Sequence, residues 1–293
     1  MRKLAVLAFV GLSSSLVAQT NFDTVQVRPL QLSPGLHVLF GAGGNIGVST
    51  GVDGTFIIDD QFAPLTPKIV AAIRTLTDKP VRFVVNTHWH GDHTGGNENL
   101  GNAGAVIVAH DNVRRRMSSE QFIAALNQRN PAAPHAALPV VTFADAVTFH
   151  LNGDSIAVTH ISPAHTDGDA FVHFQKANVF HMGDAFNNTG LPFIDRSSGG
   201  TSLGIVSAAD QVYALANAQS RIIPGHGQVT DRERLKLWRN AVYAVRERVQ
   251  RQVRARKTIE EVLAMKLSEE FVKDFPGGHD RFIRAVFDEF AKK

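Results

Sequence analysis

Between Asn86 and Gly96 the chain reads Asn-Thr-His-Trp-His-Gly-Asp-His-Thr-Gly-Gly, which places three imidazoles, His88, His90 and His93, and one carboxylate, Asp92, within six residues. Imidazole nitrogens mixed with carboxylate oxygen suit zinc and related transition metals, whereas calcium and magnesium take shells made mainly of oxygen. The run follows an apolar stretch, Val81-Arg82-Phe83-Val84-Val85, that reads as a buried strand. His88 and His90 alternate, so an extended backbone projects both to one side, and Gly91 supplies the turn that returns Asp92 and His93 to the same region. Four donors then converge without a helix. The competing reading of the run is a solvated loop rich in histidine.

The rest of the chain alternates short strands and helices with no composition break. Val25 to Ser49 reads as strands joined by a Gly41-Ala42-Gly43-Gly44 turn, Pro64 to Leu76 as a helix, and Ala105 to Ala109 as a strand. A helix is expected around Asn112 to Asn127, then a Pro- and Ala-rich loop from Asn130 to Pro139. Val147 to Ser162 and Ala170 to His181 look like paired strands, Ser202 to Ala216 like a helix, and Ser220 to Ile223 like a strand. Thr230 with Glu233, and Thr258 with Glu261, fit capping boxes at two later helix starts. Leu235, Trp238, Val242, Val245, Val249 and Val253 recur at three and four residues, which makes one apolar stripe on a helix. Arg246, Arg248, Arg251, Arg254, Arg256 and Lys257 read as the solvated basic face of that region.

With 293 residues, 44% hydrophobic and 19% charged, the chain can bury a large α/β core as one domain or two tightly packed halves. Arg2 and Lys3 precede an apolar run from Leu4 to Leu12, followed by Val17-Ala18-Gln19, the pattern of a secretory signal cut after Ala18. The expected organisation is therefore a signal peptide over 1–18 and a single domain over 19–293, ending in a helical segment and exported to the periplasm or beyond. No later segment approaches eighteen uninterrupted apolar residues, so no stable membrane insertion is expected after cleavage. The chain has no cysteine, which excludes thiolate metal sites and disulfides. Formal net charge is +3, and removing Arg2 and Lys3 leaves +1, too little for a global field toward nucleic acid.

His-Trp-His-Gly-Asp-His followed by Thr-Gly-Gly resembles the HxHxDH signature of the metallo-β-lactamase superfamily. The resemblance extends to three later motifs in the expected order: His165 in Pro163-Ala164-His165-Thr166-Asp167-Gly168-Asp169, Asp184 in His181-Met182-Gly183-Asp184, and His226 in Pro224-Gly225-His226-Gly227. Asp59, at the end of the strand-like Thr55 to Ile58, resembles the family's carboxylate that accepts the outer ring N–H of a ligand histidine. The fold this implies is α/β, an αββα four-layer sandwich with the site at one edge between two sheets.

By resemblance, His88, His90 and His165 would hold one metal and Asp92, His93 and His226 another, with Asp184 bridging. Two zinc ions are the expected cofactors, with iron and manganese as alternatives. A metal-bound hydroxide would then open a carbonyl, and Asp92 would act as the catalytic carboxylate that orients the nucleophile and passes its proton on. The expected partner is a small-molecule ester or amide, with lactones and β-lactams ahead of glyoxalase II-type thioesters. A mononuclear iron sulfur dioxygenase is the redox alternative, and a non-catalytic metal-binding protein the last. Trp89, Phe193, Arg196 and Ser197 are the candidate substrate contacts, and Arg196 could hold a carboxylate at two points.

Overall fold

The computed structural model describes residues 21–291. The expected signal peptide therefore lies outside the described residues. Two β-sheets stack at the centre, with helices on both outer faces. The first sheet opens with β1 (Arg28–Ser33), β2 (Leu36–Phe40), β3 (Ile46–Gly51) and β4 (Gly54–Ile58), an antiparallel meander. Helix α1 (Thr66–Arg74) crosses to β5 (Val81–Val85), which runs parallel to β4. The short helices α2 (Gly91–Thr94) and α3 (Asn97–Asn102) lead to β6 (Val106–His110), parallel to β5, and α4 (Asp111–Met117) follows. A small hairpin of β7 (Gln121–Ile123) and β8 (Gln128–Asn130) stands apart, and β9 (Val141–Phe143) closes the seven-stranded sheet beside β6.

The second sheet has six strands: β10 (Ala146–Leu151), β11 (Asp154–His160), β12 (Ala170–Phe174), β13 (Val179–His181), β14 (Arg221–Ile223) and β15 (Thr230–Asp231). Helix α5 (Ser202–Leu215) makes the crossover between the parallel strands β13 and β14. The chain ends with α6 (Arg232–Arg254), α7 (Ile259–Ala264) and α8 (His279–Ala291).

The apolar runs follow from burial on both faces of each sheet. Successive strand residues point to opposite sides, so Val38, Ile58, Val85 and Val108 meet Ile156, Val158, Val172 and Ile223 between the sheets. Their neighbours Leu39, Ile57, Val84 and Ile107 face outward onto Ile69 and Ile73 of α1 and Leu100 of α3. On the far side, Phe180 and Ile222 pack under α5, under the α6 stripe of Leu235, Trp238, Val242, Val245 and Val249, and under Phe282 and Val286 of α8. The result is helix, sheet, sheet, helix, the expected four layers. Among the described residues, no helix is long and apolar enough to cross a membrane.

Four local expectations are corrected. The helix expected through Asn127 ends at Met117, where the Ser118 hydroxyl bonds back to the Arg114 carbonyl. The chain then forms the β7–β8 hairpin, turning at Asn127 in the left-handed region, where a short polar side chain is tolerated. Val147 to Ser162 and Ala170 to His181 are each a hairpin rather than one strand, and in the first Asn152 and Gly153 both take positive φ, as a type I′ turn requires. The cap of α6 is Asp231, one residue later than Thr230, whereas the Thr258–Glu261 box forms as expected. Arg246 is not part of a solvated face: it follows the buried stripe inward, bonding the Ser202 hydroxyl at 3.1 Å and pairing with Glu247.

Candidate metal centre

The donor side chains all leave strand ends on one rim of the sandwich, where open α/β sheets place chemistry. Asp59 follows β4, His88 and His90 follow β5, and His93 lies on α2. His165 sits in the β11–β12 connection, Asp184 follows β13 and His226 follows β14. Three groups of potential donors form, each with its ligand atoms within 4.8 Å of one another: His88, His90 and His165; His88, His93 and Asp184; and Asp92, His93 and His226. All seven residues expected from the motifs are thus in one place. Three of them, His165, Asp184 and His226, arrive on segments far apart in the chain.

Oxygen acceptors behind the rings decide where the ring protons sit. The Phe193 carbonyl lies 2.8 Å from His165 Nδ1, Asp59 Oδ2 lies 2.7 Å from His93 Nδ1, and Asp195 Oδ2 lies 3.2 Å from His90 Nε2. A carbonyl or an ionised carboxylate only accepts, so each of those nitrogens carries the hydrogen. Thr87 extends the rule to a fourth ring. Its hydroxyl donates to Asp59 Oδ2 at 2.8 Å, which leaves a lone pair to accept from His88 Nδ1 at 3.1 Å. The opposite nitrogens, His88 Nε2, His90 Nδ1, His93 Nε2 and His165 Nε2, therefore turn lone pairs toward a common centre.

That arrangement fits a cation. His90 Nδ1 and His165 Nε2 face each other at 2.8 Å, two acceptors that repel unless positive charge lies beside them. His88 Nε2 and Asp184 Oδ1 are buried without a hydrogen-bond donor. Leaving such an atom unpaired costs about 1–3 kcal/mol, and a divalent ion is a partner that both can take.

The electrostatics divide the cluster. Burial, reinforced by the neighbouring imidazoles, holds His88 well below its ordinary pKa, and burial brings His165 down to about 4, so both rings stay neutral and able to donate lone pairs. Burial also opposes charge on His93, yet Asp184, Asp92 and Asp59 together hold that ring well above its ordinary value. Asp184 leads in raising His226 to about 10. Burial works against both carboxylates, but His93 and His226 prevail, bringing Asp92 down to about 2 and Asp184 well below the usual range. A field that favours a proton on these nitrogens also favours a metal ion, and the two compete for the same lone pairs.

Asp59 stands behind the His93 ring. Besides His93 it accepts from the Thr87 backbone N–H at 2.8 Å, and its φ of +60° bends the chain so that one carboxylate reaches both. Holding a non-glycine residue there costs about 1–3 kcal/mol, which the surrounding bonds must offset. Asp195 is its counterpart on His90 and was not anticipated. It also accepts from the backbone N–H and hydroxyl of both Ser197 and Ser198, and although burial opposes it, its bonds to His90 and the serines hold its pKa below the ordinary carboxylate range. In sequence it reads only as the Asp-x-Ser-Ser cap of a short turn, with nothing tying it to a ring 105 residues away.

Two further braces were also missed. The Asn45 side chain donates to the carbonyls of Pro224 and Gly227, both at 2.8 Å, and so ties the first sheet to the His226 turn. Next to it, Gly44 lies so close to the His93 ring that an added Cβ would stand 2.1 Å from Cε1. Asp169 closes the His165 turn by accepting from the backbone of His165 and Thr166, and burial pushes its pKa up to about 7 in spite of those bonds. His181 spends both nitrogens on backbone, meeting the Asn45 carbonyl at 2.9 Å and the Gly183 N–H at 3.2 Å.

A cleft of about 340 Å³ opens over Asp92, Asp184 and His226, walled by Phe62, Ile123, Leu126 and Phe193. Phe193, a candidate substrate contact, stacks on His90 with centroids 6.1 Å apart. The other three candidates stand elsewhere. Trp89 is 5% exposed among Ala109, Val113 and Met117, and its indole N–H donates to Ser198 Oγ, so it braces the loop from behind. The Arg196 guanidinium turns to the Gly200 carbonyl, and the Ser197 hydroxyl is engaged by Asp195 and the Ala124 N–H. Both border an adjoining cavity rather than the cleft itself.

A model of the metallo-β-lactamase superfamily matches residues 40–244, which include every donor named above. Among solved structures, a metallo-β-lactamase from Pontibacter korlensis is similar with a TM-score of 0.61 at 19% identity, over 74% of this chain and 99% of its own. The DIM-1 metallo-β-lactamase gives 0.59 at 19% identity, over 75% and 98%. The stereoselective inverting sec-alkylsulfatase Pisa1 from Pseudomonas sp. gives 0.65 at 16% identity over 90% of this chain and 50% of its own, so the chain spans about half the length of that enzyme. At these identities the likeness is one of fold.

Proposed function

Because this chain belongs to the metallo-β-lactamase superfamily, we propose that it is a dinuclear zinc hydrolase that opens small ester or amide carbonyls, with lactones and β-lactams as first candidates. The observation that carries this reading is the convergence of four imidazole lone pairs, each set by an oxygen behind its ring. His88, His90 and His165 would hold one ion and Asp92, His93 and His226 the other, with Asp184 between them. When bound, the two ions would polarise the substrate carbonyl and lower the pKa of water toward neutrality, and iron or manganese could use the same donors.

The remaining steps belong to the protein. Asp92 keeps 28% of its side-chain surface open to the cleft and lies 3.2 Å from His226 Nε2, so it can take the proton released by an attacking water. It then returns that proton to the departing alkoxide, thiolate or amide nitrogen. Phe193, Ile123 and Leu126 give the cleft an apolar wall against which the acyl part rests. The pairs Asp59–His93 and Asp195–His90 keep the rings from turning as charge develops. Export is part of the same reading: residues 1–18 act as a signal peptide and the domain from Gln19 onward works in the periplasm or outside the cell.

The test is kcat/KM for a β-lactam against an acyl lactone and a glutathione thioester, on zinc-loaded mature protein with His90→Ala prepared identically. Turnover of a lactone or lactam that needs both metal and His90 is expected. Preference for the thioester would move the protein to the glyoxalase II type. Iron in place of zinc with oxygen uptake would replace the hydrolase reading by a dioxygenase. N-terminal sequencing of exported protein should begin at Gln19.

A further inference from the structure

The C-terminal helix α8 lies beyond the segment that matches the superfamily, yet it reaches the mouth of the cleft. Arg281, in its first turn, borders both the metal cleft and the adjoining cavity of about 580 Å³, and Phe193 is the other wall that the two spaces share. The guanidinium carbon of Arg281 sits 4.9 Å from the Phe193 ring centroid, a cation–π contact. Phe193 is itself fixed, because its carbonyl meets His165 Nδ1 and its ring stacks on His90. Arg281 is therefore held at a set position relative to the donor cluster.

The charge there is not neutralised within the fold. Arg281 and Arg284 are exposed and, like Arg234, Arg251 and Arg254 of α6, have no carboxylate within ion-pair distance among the described residues. Arg281 and Arg284 are three apart on α8 and both border the cavity, whereas Phe282, Ile283 and Val286 turn into the core. Arg196, with its guanidinium turned to the Gly200 carbonyl, also borders the cavity, together with Ser197 and one carboxylate, Asp288, and the rest of the lining is apolar. A space with a guanidinium where it joins the cleft, a second beside it and apolar walls around them suits a short apolar stem ending in an anion.

We propose that Arg281, supported by Arg284, forms a subsite for a carboxylate at the end of the substrate's acyl arm, so that the enzyme prefers acidic esters or lactones to neutral ones. This deepens the hydrolase reading and rests on it for the identity of the reacting group. Arg281 acts on substrate binding, so its effect belongs in KM rather than kcat.

The test uses zinc-loaded mature protein with two matched esters, 4-nitrophenyl butyrate and mono-4-nitrophenyl glutarate, which differ chiefly by a terminal carboxylate. Wild-type kcat/KM should favour the glutarate ester by about tenfold, the size expected of a hydrogen-bonded charge pair. Arg281→Gln should remove that preference through KM, Arg281→Lys should restore part of it, and Arg251→Gln, on the exposed side of α6, should leave it unchanged. Calorimetric titration with glutarate and with butyrate reads the same subsite without turnover. Tighter glutarate binding that Arg281→Gln abolishes supports the proposal, and equal or absent binding of the two acids overturns it. If neither ester turns over, the hydrolase reading falls, and the calorimetric difference alone decides the subsite. A preference that survives Arg281→Gln overturns it as well.

Discussion

The two halves of the donor cluster differ in what surrounds them. His88, His90 and His165 are buried, and their outer sides rest on a threonine hydroxyl, a carboxylate and a backbone carbonyl. Asp92, His93 and His226 lie in an anionic field, and Asp92 and His226 keep 28% and 29% of their side-chain surfaces open. Desolvation keeps His88 and His165 neutral in the first half, whereas in the second the carboxylates prevail and draw protons onto His93 and His226. On the proposed reading, the buried half anchors metal and the open half handles protons and substrate.

Breaking the part that the halves share should have the largest effect. His88 joins the buried group to the group of His93 and Asp184, so His88→Ala should empty the position it forms with His90 and His165, with kcat/KM falling by about 10³-fold or more. Elemental analysis beside steady-state kinetics checks this, and a variant that kept full metal and turnover would refute the shared site. Asp92→Asn, measured with zinc in saturating excess so that its loss as a donor beside His93 and His226 is compensated, should sharpen the contrast by lowering kcat about 10²–10⁴-fold, the range for a lost proton-transfer group. Loss of metal in step with activity would instead make Asp92 a ligand only.

The outer carboxylates come next. Asp59→Asn and Asp195→Asn should each weaken metal affinity or activity about 10–100-fold, since an amide cannot serve as the same acceptor. The Asp59 change should be the larger, because that carboxylate supports His93 directly and His88 through Thr87. Competition with a chromogenic chelator measures both, and a reversed order would overturn this view of the two supports.

In chelated protein the halves should respond to pH with opposite sign. His165 has its pKa lowered from 6.5 to about 4, so the unfolded chain binds that proton first, and stability falls as pH drops through this window. His226 is raised from 6.5 to about 10, so its contribution is full below 6.5 and is lost as pH rises toward 10. Thermal melts of the chelated protein across that range should therefore peak between the two windows, and a monotonic profile would contradict the division. The smallest effect expected is from Thr87→Val, which removes the acceptor behind His88 and one donor to Asp59 but leaves both carboxylate supports in place, and should lower zinc affinity about tenfold or less.

Much of the framework was legible because its signals are local. The run Val81 to Val85, in which Val84 and Val85 are buried on opposite faces, reads as a strand without reference to the rest of the chain. The α6 stripe declares its inward face by spacing alone, and the Thr258–Glu261 box forms because both partners lie within one turn. Local signals also had limits. The Asn152-Gly153 turn was written in the sequence, but the apolar alternation on either side hid it. The β7–β8 hairpin offered only three residues per strand, too few for a period to separate it from the preceding helix.

What the sequence determined by itself is the donor set: His88, His90, Asp92 and His93 sit within six residues, and His165, Asp184 and His226 stand in turns that follow or precede apolar strands. What only the tertiary structure decided is how those donors are held and what the substrate meets. Asp195 reaches His90 across 105 residues, Asn45 ties the first sheet to the His226 turn across 179, and Arg281 arrives at the cleft on the last helix. Trp89, inside the metal motif, faces the core, while Arg196 is turned to its own loop. The reason is physical: a ligand atom's identity is covalent and local, but the direction of its lone pair is set by whichever acceptor the packed layers bring behind it.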